Sequence, residues 1–157
     1  MAGIARVNLN DLVPRYDETD PDGYRPGMAR FGPAIGASQM GATVYELPSG
    51  QSICPYHYEY PEEEWLIVLA GRVVLRHPDG EEELGEGDVV CFPPGPEGAH
   101  KVTCLGDETA RVLMTSTKQT PAIAVYPDSD KVSIFPGDDR DRLTMRRDTL
   151  DYWDGEA

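Results

Sequence analysis

The chain has 157 residues, 39% of them apolar, and a formal net charge of −14. That length suits one domain with a real core rather than two, and the charge argues against nucleic acid and anionic membranes as partners, since both call for an excess of Lys and Arg. No apolar run approaches the ~20 residues of a membrane span, and residues 1–13 lack the basic start and apolar stretch of a secretory signal, so a cytoplasmic setting is expected.

Residues 1–35 read as an irregular N-terminal arm. Pro14, Pro21 and Pro26 interrupt any ladder or helix there, and only the 10–12 segment could open a helical turn. The pattern then changes. Strand-like runs follow at 42–47, 51–58, 64–70, 72–76, 81–84, 88–92, 100–105, 111–117, 122–126 and 131–135. The 16 glycines and 14 prolines fall largely between such runs, which favours short strands joined by turns over helices. Asp79-Gly80 is a tight hairpin signal, and 85–87 and 105–107 read as further turns. Even spacing of this kind predicts an all-β sandwich or barrel over residues 36–135. Residues 136–157 form a C-terminal tail with one candidate helical turn around 140–145. Tyr152 and Trp153 predict that this tail packs on the barrel or on a partner.

The run 65–69 is apolar on both faces. A strand of that kind needs cover from two sides, the barrel interior and a second layer or subunit, so a homodimer is expected. The three cysteines, Cys54, Cys91 and Cys104, form no close pair and read as small buried hydrophobes in a reducing compartment.

Two segments carry the chemistry. In His57-Tyr58-Glu59 the outer residues project from one face of a strand while Tyr58 points away. A polar turn through Pro61, Glu62 and Glu63 then lets Glu64 open the next strand and fold back beside the pair. The second segment, from Gly87 to His100, is a strand, a stiff loop through Pro93, Pro94, Gly95, Pro96 and Gly98, and a histidine. Proline fixes the direction of such a loop and glycine permits its turns, so it can place one imidazole accurately. Cys104 lies about 13 Å further along that strand at ~3.3 Å per residue, too far to share an ion with His100. Cys54 is expected to face away from His57. His77, in a turn, reads as exposed and inert, and Glu62 and Glu63 as a solvated turn. The 126–131 run lacks the glycine and terminal glutamate of a calcium loop and reads as a turn.

These two segments resemble the two sequence motifs of the cupin superfamily. The first matches at His57, Glu64 and Gly71, with Gly50 one or two residues off the family's leading glycine. The second matches at Gly87, Pro93, Gly95 and His100. The chain departs from the family pattern at Glu59, which stands where a second histidine is usual. The resemblance implies a double-stranded β-helix (jelly-roll) barrel with a divalent metal ion held by His57, Glu59, Glu64 and His100. Two neutral imidazoles with carboxylates suit Zn, Fe or Mn. It also implies a small-molecule ligand. The cupin superfamily includes dioxygenases and sugar isomerases or epimerases, so one reading is a metal-dependent enzyme on a small polar metabolite, with Glu59 as a catalytic base when it is not a ligand. The other is a non-catalytic cupin that binds a small ligand or senses a metal.

Overall fold

Valine, isoleucine, leucine and aromatic residues in short alternating runs favour a pleated, half-buried surface, and the chain folds accordingly. The computed structural model describes residues 3–147 and 150–156. Its strands are β1 (Gly27–Arg30), β2 (Met40–Leu47), β3 (Tyr58–Tyr60), β4 (Glu64–Ala70), β5 (Arg72–His77), β6 (Gly80–Gly85), β7 (Val89–Phe92), β8 (Lys101–Cys104), β9 (Ala110–Thr117), β10 (Ala122–Tyr126), β11 (Lys131–Phe135) and β12 (Leu143–Arg146). Among the described residues every helical segment is a short 3-10 turn, and no helix is long and apolar enough to cross a membrane.

One layer is a five-stranded antiparallel sheet in the order β1-β2-β9-β4-β7. The other consists of β12-β11-β10-β3 and β6-β5-β8. Bridges from Ser52 to Thr103 and from His57 to His100 stitch these two pieces together. The result is an all-β jelly roll. Among the described residues its strands pair as separate sheets rather than as one hydrogen-bonded ring.

The apolar core lies where the five-stranded sheet faces β6-β5-β8. Leu47, Leu66, Val68 and Val112 from the first meet Val73, Leu75, Leu84 and Val102 from the second. Alternation puts Leu66 and Val68 of β4 inside and Trp65 outside, 46% exposed, near Val89 of β7 at 56%. The 79–80 hairpin forms as expected, with His77 opposite Gly80.

Three expectations need correction. First, the arm is not wholly irregular. Once past Pro26 the chain adds β1 to the edge of the five-stranded sheet, and Arg111 anchors the arm through the carbonyls of Leu9 and Leu12 (2.7 and 3.2 Å). Second, the 51–58 run is not a continuous strand. Ser52 lies opposite Thr103 but His57 lies opposite His100, so five steps on one side face three on the other. Pro55, which has no N–H to offer a ladder, sits in the resulting bulge. Third, the helical turn near 140–145 is a 3-10 turn at Asp139–Asp141 followed by β12, which pairs with β11. Tyr152 and Trp153 meet each other edge-on and remain 84% and 70% exposed within this chain.

Candidate metal centre

The bulge before β3 has a consequence for chemistry. It brings His57 into register with His100, and each backbone N–H of the pair donates to the other's carbonyl (3.1 and 2.8 Å). Both side chains then stand in the same space, with ring centroids 4.7 Å apart. The loop from Pro93 to Ala99 fixes His100 from the other side. Gly95, at φ +92°, donates its N–H to the Glu59 carbonyl (2.8 Å) and lies against the Tyr60 ring, so the second motif is braced on the first. A Cβ at Gly98 would fall 1.9 Å from the Pro93 carbonyl oxygen, so only glycine lets this loop close. Phe92 stacks on the His100 ring at 3.7 Å and 7° between planes, holding its orientation.

The tautomers follow from hydrogen bonding. His57 Nδ1 lies 3.0 Å from the Pro55 carbonyl oxygen and His100 Nδ1 2.9 Å from that of Gly98. A carbonyl only accepts, so each Nδ1 carries the proton and each Nε2 presents a lone pair. Orienting an imidazole through its remote N–H is the usual support for a metal-ligating histidine. Glu64, opening β4, completes the group. Its Oε2 lies 3.5 Å from His100 Nε2 and 3.9 Å from His57 Nε2. Ligand atoms of His57, Glu64 and His100 all fall within 4.8 Å of one another. Glu59 stands beside this trio rather than within it, with Oε1 3.8 Å from His57 Nε2.

Burial and charge set the protonation of these groups. Burial lowers the pKa of His57, and burial followed by the neighbouring His57 charge pushes His100 down to about 3. Both imidazoles are therefore neutral at pH 7, as ligation requires. Burial, then the charge of Glu64, then Glu62 raise Glu59 to about 8; burial and then Glu62 raise Glu64 to about 7. Two carboxyls resisting ionisation beside two neutral imidazoles mark a place that a cation would stabilise. One atom states this most directly. Glu64 Oε2 is buried and has no hydrogen-bond partner among the described residues. Buried polar atoms are nearly always paired, and a divalent ion bound to two Nε2 atoms would supply the missing partner.

These groups line an inner chamber of about 300 Å³ together with Cys54, Tyr126 and others. Cys54 corrects an expectation. Its Sγ lies 3.5 Å from His57 Nδ1, on the same side rather than opposite, because strict alternation does not survive the bulge. Cys91 is exposed, not buried; Cys104 is buried, with its thiol directed at the Glu108 carbonyl, away from the site. His77 is the last residue of β5 and half-buried rather than exposed in a turn, and its Nδ1 accepts the Asp79 N–H. Sequence reasoning also missed Tyr126, whose ring stacks on His57 at 5.8 Å, and Arg142, which lies in the stretch read as a tail.

Two oriented imidazoles and a partnerless carboxylate in its chamber give this all-β jelly roll a candidate metal site. Residues 43–116 match the Cupin domain family, which supports a cupin-superfamily assignment. It resembles a sugar phosphate isomerase of that superfamily from Silicibacter pomeroyi, at 26% identity and a TM-score of 0.79, over 90% of this chain and 92% of that one. A protein from Acidithiobacillus ferrooxidans, provisionally assigned as a sugar phosphate isomerase, is 22% identical with a TM-score of 0.78 over 91% and 92%. The polyketide cyclase of Streptomyces resistomycificus is 24% identical with a TM-score of 0.59, over 74% and 82%. Likeness at the level of the last two speaks to the fold alone. No curated protein matches the chain.

Proposed function

We propose that this protein is a metal-dependent enzyme of the isomerase or epimerase type, acting on a small hydroxylated carbonyl compound. The observation that carries the metal is the partnerless Glu64 Oε2 facing two Nε2 atoms. His57, Glu64 and His100 would hold a Zn, Fe or Mn ion, with Glu59 either a fourth ligand or free. A bound ion would supply Lewis acidity, polarising a carbonyl and stabilising the charge that develops on it.

The chain's own residues supply the proton transfer. Glu59 lines the same chamber, and burial poises its carboxyl near neutrality, the range in which a base can both take and return a proton. It takes the proton from the carbon bearing the hydroxyl, and the electron pair moves onto the carbonyl oxygen. The same carboxylic acid returns the proton to the neighbouring carbon while the hydroxyl proton passes between the two oxygens. Atoms balance and no oxidant is consumed, which separates this reading from a dioxygenase. The likeness to the Silicibacter pomeroyi isomerase supports the same class.

The test begins with elemental analysis of purified protein, expected to find close to one divalent ion per chain. Metal-loaded protein is then incubated in D2O with a panel of small hydroxylated aldehydes and ketones. Deuterium should enter the carbon next to the carbonyl, and Glu59→Gln should abolish its entry while leaving a folded protein. Oxygen uptake without exchange would replace this reading with an oxygenase; absence of metal would remove both in favour of a ligand-binding barrel.

A second copy of the chain is the partner proposed for the outer face of β4, where Trp65 and Val89 stand exposed. Sedimentation should give a dimer that Trp65→Glu reduces to a monomer; a monomeric wild type would end that proposal.

A further inference from the structure

The inner chamber does not end at the metal ligands. Tyr45, Glu59, Glu64, Met114, Phe135 and Arg142 line it and also line an adjoining outer chamber of about 580 Å³, so the two form one cleft. The outer part is lined by Arg30, Lys118 and Arg142. They come from three separate places: the end of β1, the residue after β9, and the residue before β12.

This gathering runs against the composition. The chain has 28 acidic residues and only 14 basic ones. Four arginines outside the cleft are held by carboxylates: Arg25 by Asp22, Arg72 by Glu83, Arg76 by Asp128 and Arg147 by Asp130. Among the described residues, the side chains of Arg30, Lys118 and Arg142 have no carboxylate partner. The acids of the outer chamber are differently placed. Asp138 is engaged by the Arg140 guanidinium, and Glu62 accepts the Gln119 N–H (2.9 Å). Of its four acids, Glu62 and Asp138 are therefore engaged and Glu59 and Glu64 belong to the metal end, while its three cations have no carboxylate partner among the described residues.

Arg142 is also oriented. Its guanidinium carbon lies 4.2 Å from the centroid of the Phe135 ring, and both residues line both chambers. Packing one face of the guanidinium on a ring leaves its N–H edge for a planar, two-point contact with an oxyanion. Lys118 is fixed at its backbone, where its N–H donates to the Gln39 carbonyl (2.9 Å).

We propose that Arg142, with Arg30 and Lys118, is an anion-recognition site for the terminal phosphate of a phosphomonoester substrate whose reacting end lies among His57, Glu59, Glu64 and His100. This rests on the proposed isomerase reading for the role of the inner end, but the anion site stands on its own residues. A dianion matches three unpaired cations better than a single carboxylate does, and an uncharged metabolite would leave all three unused. The same field would exclude substrates that carry a cation at that end.

The test uses the full chain, stripped of metal by a chelator so that no ion can hold the anion. Inorganic phosphate is titrated by calorimetry or 31P NMR at low ionic strength. Saturable binding is expected, weakened about tenfold by Arg142→Gln, with Arg142→Lys intermediate because charge survives but the two-point fork does not. Arg30→Gln and Lys118→Gln should weaken it less, and Arg72→Gln, outside the cleft lining, should leave it unchanged. Acetate should bind much more weakly than phosphate. The proposal fails if metal-free protein shows no saturable phosphate binding, if Arg142→Gln leaves binding unaltered, or if acetate binds as well. Because metal plays no part in this titration, a failure here is separate from a failure of the metal-dependent reading.

Discussion

The two ends of the sandwich are built on the same strands and serve opposite ends. On β4, Glu64, Leu66 and Val68 project from one face, two residues apart; His100, Val102 and Cys104 do so on entering and following β8. At one end these positions hold Leu66, Val68 and Val102, fully buried and packed against Leu75 and Val112. At the other they hold His100, 3% exposed, and Glu64, whose side chain is 17% exposed, with one unpartnered carboxylate oxygen and one unprotonated imidazole nitrogen turned inward. The lesson is that the site is a continuation of the core in which apolar contact has been exchanged for unsatisfied ligand capacity. The core end is complete in the bare chain. The site end is stabilised only by something it binds.

That contrast is broken most directly by cutting the core end. Leu66→Ala should destabilise the protein by about 3 kcal/mol, the transfer term plus the cavity left in a packed interior. The residual folded protein should still bind metal, since Leu66 touches the ligands only through the strand. Chemical denaturation with and without added metal reads both. A loss below about 1 kcal/mol would mean that the core is loosely packed and the comparison misdrawn.

Two residues away on the same face, the sign should reverse. Glu64→Gln removes a buried charge that has no partner, so metal-free protein at pH 8 should gain about 1 kcal/mol. Metal affinity should fall by roughly a hundredfold or more, since even residues that merely support ligands cost 10–100-fold. Equal destabilisation of the metal-free protein by Glu64→Gln and Leu66→Ala would show that Glu64 is a structural residue and not a held-open ligand.

The difference between the ends also explains what could be read from the sequence. The strands of the core end were legible, because alternating apolar residues and the Asp79-Gly80 hairpin are local signals. So were the four site residues as candidates, because strand periodicity and the Pro-Gly loop place His57, Glu59, Glu64 and His100. What was hidden depends on non-local register. The slip that sets His57 opposite His100 is decided by pairing between two distant segments, and it carried Cys54 to the side where alternation said it should not be. Arg142 was hidden for the same reason. A lone arginine in a polar tail becomes a lining residue only when β12 pairs with β11 and brings it over Phe135.

The smallest effect is the one most specific to the site end, and it is a matter of pH. Both histidines have folded-state pKa values below the ordinary 6.5, so their contribution to stability rises with pH and levels off about a unit above 6.5. Glu59 and Glu64 have raised values, about 8 and about 7 against an ordinary 4.5, so the folded chain holds protons that the unfolded chain has already released. Their contribution therefore falls as pH rises through the folded values. Between pH 6.5 and 8 this second effect outweighs what remains of the first, and the melting temperature of metal-free protein should drop by a few degrees. Glu64→Gln should flatten part of that slope, and saturating divalent metal should reverse it, because ionised carboxylates then gain a partner and binding adds to stability. Scanning calorimetry across that interval, on wild type and on Glu64→Gln, decides the matter. A metal-free melting temperature that stays level or climbs from pH 6.5 to 8 would mean that the two carboxyls ionise at no cost, and the site end would then be as self-sufficient as the core.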